Sequence, residues 1–334
     1  VIKDLIARVV EGADLDAPAM EQAMEAILRG EVSSAQIAAL LIALRIKGES
    51  AEELAAAARV LRRHALPVRV SVAPPLLDTC GTGGDGTSFN ISTVAAIVVA
   101  AAGVRVAKHG NRAATSKSGS ADMLEAMGID LSSSPERIAQ CIDEVGIGFM
   151  FARLHHPAMK HAGPVRAELG VRTLFNFIGP LTNPAGATHQ LLGVGDGSRL
   201  EMMAKVLALL GSRAAWVVHG HGGLDEVSIS GPTRVAALRD GEVRCFELGP
   251  ADFGVPLAER ALLGGDAAYN AAVARAIFEG ARGPERDAVV VNAGAALCVA
   301  DVASSPREGA TLAAAAIDSG AAKDKLERWI AFMR

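Results

Sequence analysis

The sequence predicts an α/β protein: a small all-helical N-terminal domain, then a large α/β domain whose central, mostly parallel sheet is flanked by helices. Three observations carry this. Apolar residues make up 50% of the 334 residues and aromatics only 4%. The core is therefore Ala, Val, Leu and Ile, a composition suited to helices on a buried parallel sheet. From Leu76 onward, strand-like apolar runs alternate with helix-length segments. Residues 1 to about 66 instead carry closely spaced helix start signals.

Asp16 is placed to cap a helix ending at Gly30. Ser33 with Gln36, and Ser50 with Glu53, make two capping boxes. Between them LLIALRIK puts Leu40, Leu41, Leu44 and Ile46 near one apolar side, ending at Gly48. The helix after Ser50 runs to about His64. LPVRVSVAPP then shifts composition, with Pro67, Pro74 and Pro75 marking an extended linker. The expected division is a helical domain over 1–67, a hinge linker over 68–75, and an α/β domain over 76–159 and 187–334. A helical insertion at 160–186 is expected to pack on the first helices. So small a bundle has too few residues for its own active site. Its apolar faces are expected to cover a partner subunit or the larger domain.

In the larger domain the strand-like runs are LLDTC, VRVAKH, GFMF, HQLLGV, AAWVVH and AVVVN. Helix-like runs cover 92–102, 119–127, 135–145, 199–210, 267–279 and 308–318. Asp240-Gly241 lies between VAALR and EVRCFEL and signals a hairpin.

Several classes are disfavoured. A net charge of −4 gives no electrostatic reason to expect nucleic acid. The longest apolar run, VAAIVVAAAGVRVA, is broken by Gly103 and Arg105, so no membrane span is expected. Lys3, Asp4 and Arg8 interrupt the first turns, and no signal peptide is expected. Cys80, Cys141, Cys245 and Cys298 form no CxxC pair, which argues against a disulfide framework or zinc ribbon. A soluble, reducing, cytoplasmic setting is expected.

The chemistry concentrates between Asp78 and Gly128. Gly81-Thr82-Gly83-Gly84-Asp85-Gly86 follows a strand and precedes a helix. Four glycines in six residues let backbone N–H groups approach a phosphate closely, and the helix terminus behind them adds donors. Asn90, Ser92 and Thr93 stand at that terminus. The stretch also fits G-x-G-x-x-G, but a dinucleotide site calls for an acid about 20 residues on. Residues 100–109 hold Arg105 and Lys108 and no acid, which disfavours NAD and leaves NADP open. Lys108-His109-Gly110-Asn111-Arg112 follows the next strand, with Thr115, Ser116, Ser118 and Ser120 beyond it. Such donor density suits a ligand with several phosphates.

Asp225-Glu226 follows a strand and HGHGG. An adjacent acidic pair is ordinarily a solvated turn; beside a phosphate site it becomes a magnesium candidate. His219 and His221 have HxH spacing without an indicated third ligand, so zinc is disfavoured. Arg166 reads, from its own surroundings, as a surface arginine paired with Glu168 or another nearby carboxylate. Cys80 reads as a small buried hydrophobe.

GTGGDG at 81–86, NIST at 90–93, KHGNRAATSKSGSAD at 108–122, HHPAMKHAGPVRAELGVRTLFNFIGPLTNPAG at 155–186 and LDEVS at 224–228 together resemble the anthranilate phosphoribosyltransferase family of tryptophan biosynthesis. The likeness covers nearly the whole chain. Two departures stand out: one residue fewer than usual between Asp85 and Asn90, and Thr115 where a small residue such as serine is common. The resemblance implies phosphoribosyl pyrophosphate and anthranilate as substrates, magnesium as cofactor, and a homodimer formed through the helical domain. It implies that Gly81, Gly84, Asp85, Ser88, Asn90, Ser92, Thr93, Lys108, Asn111, Ser116 and Ser120 hold the donor. Gly81, His109, Asn111 and Arg166 would line the anthranilate path, and Ser92, Asp225 and Glu226 would serve the metal. No residue is assigned as a catalytic base, because an aromatic amine carries no charge to shed before attack. A pyrimidine nucleoside phosphorylase or a non-enzymatic nucleic-acid-binding relative is the alternative. KHGNR and GPLTNPAG count against the first, and the DE pair with an acidic chain against the second.

Overall fold

The computed structural model describes every residue except 84–87, 114–116 and 259–261. Helix α1 (Ile2–Val10) opens the chain. Helix α2 (Ala17–Leu28) starts where the Asp16 carboxylate accepts the Ala19 N–H at 3.0 Å. Helices α3 (Ser34–Lys47) and α4 (Ala51–Arg63) both open on complete capping boxes, at Ser33/Gln36 and Ser50/Glu53. Such a cap contributes about 1 kcal/mol. Leu40, Leu41 and Leu44 are fully buried, but Ile46 is 81% exposed, which corrects its placement on the apolar side. It lies two residues past Leu44, roughly 200° round the helix.

The sheet order is β3-β2-β1-β4-β5-β6-β7. The first half of the sheet region runs β1 (Leu76–Gly81), α5 (Ile91–Ala101), β2 (Arg105–Gly110), α6 (Ser120–Ala126), α7 (Pro135–Glu144) and β3 (Ile147–Phe151). Helices α8 (Ala152–His155), α9 (Gly163–Leu169) and α10 (Leu174–Ile178) then lead to β4 (His189–Gly193), α11 (Leu200–Leu209) and β5 (Ala214–His219). These five strands pair in parallel, while β6 (Thr233–Arg239) and β7 (Glu242–Leu248) add on antiparallel. Asp240 and Gly241 make the hairpin turn with φ of 47° and 86°. That left-handed backbone is what Asp-Gly supplies. The chain closes with α12 (Pro250–Phe253), α13 (Ala267–Phe278), α14 (Pro284–Val299), α15 (Pro306–Asp318) and α16 (Ala321–Met333).

AVVVN is not a strand. Residues 288–292 lie inside α14, buried from Ala288 through Ala300. A β-branched run buried on every side shows neither helical nor strand periodicity. The deciding signals lie outside the run: Pro284 at the first turn, with Glu285 and Asp287 beside it.

Helices cover both faces of the sheet. Ala214 and Val218 pack into the cluster with α5, α14 and α16. Ala215 and Val217 face the other way, into a cluster shared by α11, α2, α3, α4, α9 and α10. The alternation is that of a strand covered on both sides. The N-terminal helices thus bury their apolar surface against the larger unit, with α4 along α11. Where the chain crosses between them, Leu66 N–H donates to His155 O at 2.8 Å and Val68 N–H to Pro184 O at 3.0 Å. Ser71 and Val72 donate to the Asp143 carboxylate. No helix among the described residues is long and apolar enough to cross a membrane.

Candidate active site

The order of strands reverses at β1. From it the chain runs outward through β2 and β3 on one side, then returns to β4 and β5 on the other. The carboxyl ends of β1 and β4 therefore border the crevice in which open α/β sheets bind ligands. Gly81 lies opposite Gly193 there. A Cβ on Gly193 would sit 1.5 Å from the Asp225 carbonyl oxygen, and one on Gly81 would sit 2.3 Å from Asp225 Oδ2. Both positions are glycine because Asp225 fills the crevice. Its Oδ2 accepts the Gly83 N–H at 2.9 Å. Glu226 Oε2 accepts from Ser88 Oγ at 3.4 Å. Behind the pair, Asn292 of α14 accepts the Val227 N–H and donates to Val227 O, both at 2.9 Å. The segment misread as a strand thus fixes the acidic loop.

Helix α5 begins at Asn90 without a side-chain cap, leaving the positive end of its dipole for a ligand. Asn90 instead joins three elements. Its Nδ2 donates to Ser118 O at 3.1 Å, and its Oδ1 accepts from Asn270 of α13 at 2.9 Å. Thr93 Oγ1 is buried with no hydrogen-bond partner among the described residues. Lys108 does not present its charge to solvent. It is 2% exposed, and its Nζ donates to Thr79 O and to Ser92 Oγ, the latter at 3.4 Å. Burial lowers its pKa, opposed by the neighbouring Asp78. Arg112 is likewise committed, to Asp122 at 2.8 Å and Glu125 at 2.6 Å. Asn111 is exposed, and Ser120 Oγ donates to its carbonyl at 3.2 Å. Gly84, Asp85 and Ser116 lie outside the described residues.

Beneath the crevice lies a buried polar network. Asp78 accepts the His109 N–H at 3.1 Å and Asn183 Nδ2 at 2.8 Å. Burial pushes its carboxyl up to about 6, with Lys108 pulling the other way. His109 and His156 meet through their Nε2 atoms at 3.2 Å. One must donate and the other accept, so the accepting ring is neutral. Burial accordingly pushes His109 well below the usual imidazole range and His156 down to about 4.

Arg166, in α9, is partly buried, with its guanidinium 5.2 Å from the Phe175 ring centre. No carboxylate pairs with it among the described residues, so the reading of an ion pair with Glu168 does not hold. Cys80 accepts from Gln190 Nε2 at 2.9 Å. His219 Nδ1 donates to Val194 O at 2.8 Å. Among the described residues no three His, Cys, Asp or Glu side chains converge on a metal site. Two adjacent carboxylates, with the Ser88 hydroxyl close by, are hard oxygen donors. They fit magnesium, which takes one or two carboxylates plus substrate phosphates.

Sequence reasoning missed four members of this site: Asp78, Asn183, His156 and Arg172. The Arg172 guanidinium donates to Gly83 O at 2.7 Å and Thr82 O at 2.8 Å. An acid inside the apolar LLDTC run was the available signal for Asp78. Arg172 lies in the 155–186 stretch quoted for the resemblance, which gave it no role.

Residues 73–323 match the family model described as "Glycosyl transferase family, a/b domain", and residues 3–65 its "helical bundle domain". The chain is 52% identical over 329 residues to the anthranilate phosphoribosyltransferase of Chromobacterium violaceum, covering 98% of this chain and 96% of that one. The crystal structure of the Thermus thermophilus anthranilate phosphoribosyltransferase superposes with a TM-score of 0.93 at 48% identity, over 98% and 99% of the two chains. The Saccharomyces cerevisiae enzyme, solved in complex with phosphoribosyl pyrophosphate and magnesium, gives 0.89 at 28% identity, over 99% and 97%.

Proposed function

The chain belongs to the anthranilate phosphoribosyltransferase family, and on that premise we infer that it transfers the phosphoribosyl group of phosphoribosyl pyrophosphate to the amine of anthranilate. The products are N-(5-phosphoribosyl)anthranilate and pyrophosphate, a step of tryptophan biosynthesis. The observation that carries the reading is Asp225 seated between Gly81 and Gly193, at the same sheet edge as the uncapped start of α5.

The reaction breaks a C1–O bond and forms a C1–N bond, with inversion at C1. The amine proton is lost after attack, when nitrogen carries positive charge, so no strong base is needed beforehand. Asp225, Glu226 and the Ser92 hydroxyl would hold magnesium, which when bound neutralises charge on the departing pyrophosphate. The glycine loop and the α5 N-terminus supply backbone donors to the phosphates. Asn111, Ser88, Thr93 and Ser120 add side-chain donors beside them, with Gly84, Asp85 and Ser116 in the same loops. Lys108 acts from below: it fixes Ser92 and the end of β1 and adds positive potential. Arg166, with no carboxylate partner among the described residues, faces the anthranilate carboxylate; Gly81, His109 and Asn111 line its path. These groups orient two substrates and stabilise the leaving group, the main sources of rate for such a transfer.

The division into 1–67 with 160–186, against 76–159 with 187–334, is supported by α9 and α10 lying on α3 and α4. The 68–75 segment is proposed as the hinge because it joins α4 to β1 outside any helix or strand. A homodimer through the helical unit is supported by the exposure of Val1, Val10 and Ile46. A reducing cytoplasm is supported by four free cysteines. The test is optical: anthranilate fluorescence decays when phosphoribosyl pyrophosphate and magnesium are added together, and with neither alone. No decay with both present overturns the reading.

A further inference from the structure

We propose that Arg172 is a positioning residue for the metal-binding carboxylate Asp225, acting through the Thr82–Gly83 peptide. The proposal rests on the phosphoribosyl-transfer reading above. The Thr82 carbonyl and the Gly83 N–H belong to one planar unit. Arg172 Nη2 donates to that carbonyl at 2.8 Å, while the N–H on the opposite side donates to Asp225 Oδ2 at 2.9 Å. Arg172 Nη1 takes the next carbonyl, Gly83 O, at 2.7 Å. The unit cannot turn its N–H away from Asp225 without also pulling its carbonyl off the guanidinium. The two bonds therefore hold or fail together.

The peptide needs an outside hold. Gly83 has φ +72°, in the left-handed region, and glycine restrains its own backbone least. On its near side the loop is already tied, by Thr82 N–H to Gly193 O at 2.9 Å. Among the described residues, Arg172 holds the Thr82 and Gly83 carbonyls on its far side. The planar fork of arginine matches two neighbouring carbonyls in a way a single ammonium cannot. Its charge also polarises the peptide and strengthens the N–H as a donor to Asp225.

Arg172 is itself held from the helical unit. Arg45 of α3 donates to the Arg172 carbonyl, and the next residue, Thr173, stands at the N-terminus of α10, its N–H donating to Asn176 Oδ1 at 3.0 Å. One continuous run of contacts thus reaches from α3 through Arg172 and the glycine loop to Asp225. It places the seating of the helical unit in mechanical series with the carboxylate. The other cations at this edge are otherwise engaged: Lys108 is buried and Arg112 is ion-paired.

The experiment is an electron paramagnetic resonance titration of Mn2+ in the presence of pyrophosphate, on the wild type and on Arg172→Met, Arg172→Lys and Arg45→Met. Steady-state kinetics run beside it. Loss of an outer-shell partner costs roughly 10–100-fold in metal affinity. Arg172→Met should weaken Mn2+ binding by about that factor and raise the metal concentration for half-maximal rate in parallel. The KM for anthranilate should stay within about 3-fold, because Arg172 bonds neither Arg166 nor His109. Arg172→Lys should recover part of the loss, and Arg45→Met should show a smaller loss in the same direction. If Arg172→Met fails to fold, the lysine variant decides by the same titration. Unchanged Mn2+ affinity overturns the proposal. So does a raised KM for the donor at unchanged metal affinity, which would make Arg172 a direct phosphate ligand. If the wild type shows no transfer, the functional reading fails, while the Mn2+ titration still reads the positioning role by itself.

Discussion

Gly193→Ala is the sharpest perturbation of the crevice. The added Cβ would start 1.5 Å from the Asp225 carbonyl oxygen and 2.3 Å from its carbonyl carbon. Both are backbone atoms, so no side-chain rotation relieves the clash. Gly193 is held in register against Gly81 and Val218, and Val227 is clamped by Asn292. The Asp225 segment must therefore retreat by roughly 1.5–2 Å to reach a normal contact distance. A misplacement of about 1 Å can cost about 100-fold in rate, and overpacking a rigid site costs about 1–3 kcal/mol of stability. We expect kcat/KM to fall about 100-fold or more, with a modest drop in melting temperature. The melting shift produced by donor plus magnesium should shrink or vanish. Gly81→Ala is the paired control: its clash is with the Asp225 carboxylate, which can swing aside. It should cost less stability than Gly193→Ala while still impairing the response to magnesium. Fluorescence turnover across a magnesium titration measures both. A Gly193→Ala enzyme within about 3-fold of wild type, with its magnesium response intact, would refute the claim that Asp225 must sit where it does.

Three further outcomes are expected. Asp225→Asn combined with Glu226→Gln should abolish most magnesium-dependent turnover; an unchanged metal response removes the pair from the metal site. Arg166→Ala should raise the KM for anthranilate much more than the KM for the donor, and equal effects would remove its assignment to the anthranilate carboxylate. The third concerns pH and the buried imidazoles. His109 and His156 are held neutral in the fold, His156 with a pKa of about 4, while unfolded histidine titrates near 6.5. Their stability contribution is present above the unfolded value and is lost as pH falls, because only the unfolded chain takes up the protons. Asp78, raised to about 6, works in the opposite sense: its contribution is fully present at low pH and is lost as pH rises through 6. Between pH 7 and 5, wild type should lose about 1–2 kcal/mol more than His156→Gln, read from urea midpoints. Equal losses in the two proteins would mean the rings are not held neutral.

Much of this molecule was legible locally. Asp16, Ser33 and Ser50 start helices because a capping side chain acts within three residues of itself. Asp240-Gly241 turns a hairpin because its backbone preference is intrinsic. The glycine loop and the acidic pair are visible in the sequence as separate stretches, and the structure brings them together at Gly83 and Asp225. The failures also have local causes. AVVVN looks like a strand because full burial erases periodicity, and Ile46 was assigned to the wrong face of its helix.

What the sequence by itself determined is which elements form and which functional groups the chain carries. Which groups meet was decided only by the tertiary structure. Lys108 turned inward and Arg112 was claimed by Asp122 and Glu125, because nearby oxygens offered each cation a partner. Gly193 looks like an ordinary strand glycine until β1 and β4 pair and Asp225 is placed against it. Arg172 stands inside the quoted 155–186 stretch, but its role there shows only in space, where its guanidinium meets the glycine loop. Capping and turn preferences act over a few residues of chain. These contacts depend on strand order and helix packing, which no local stretch encodes.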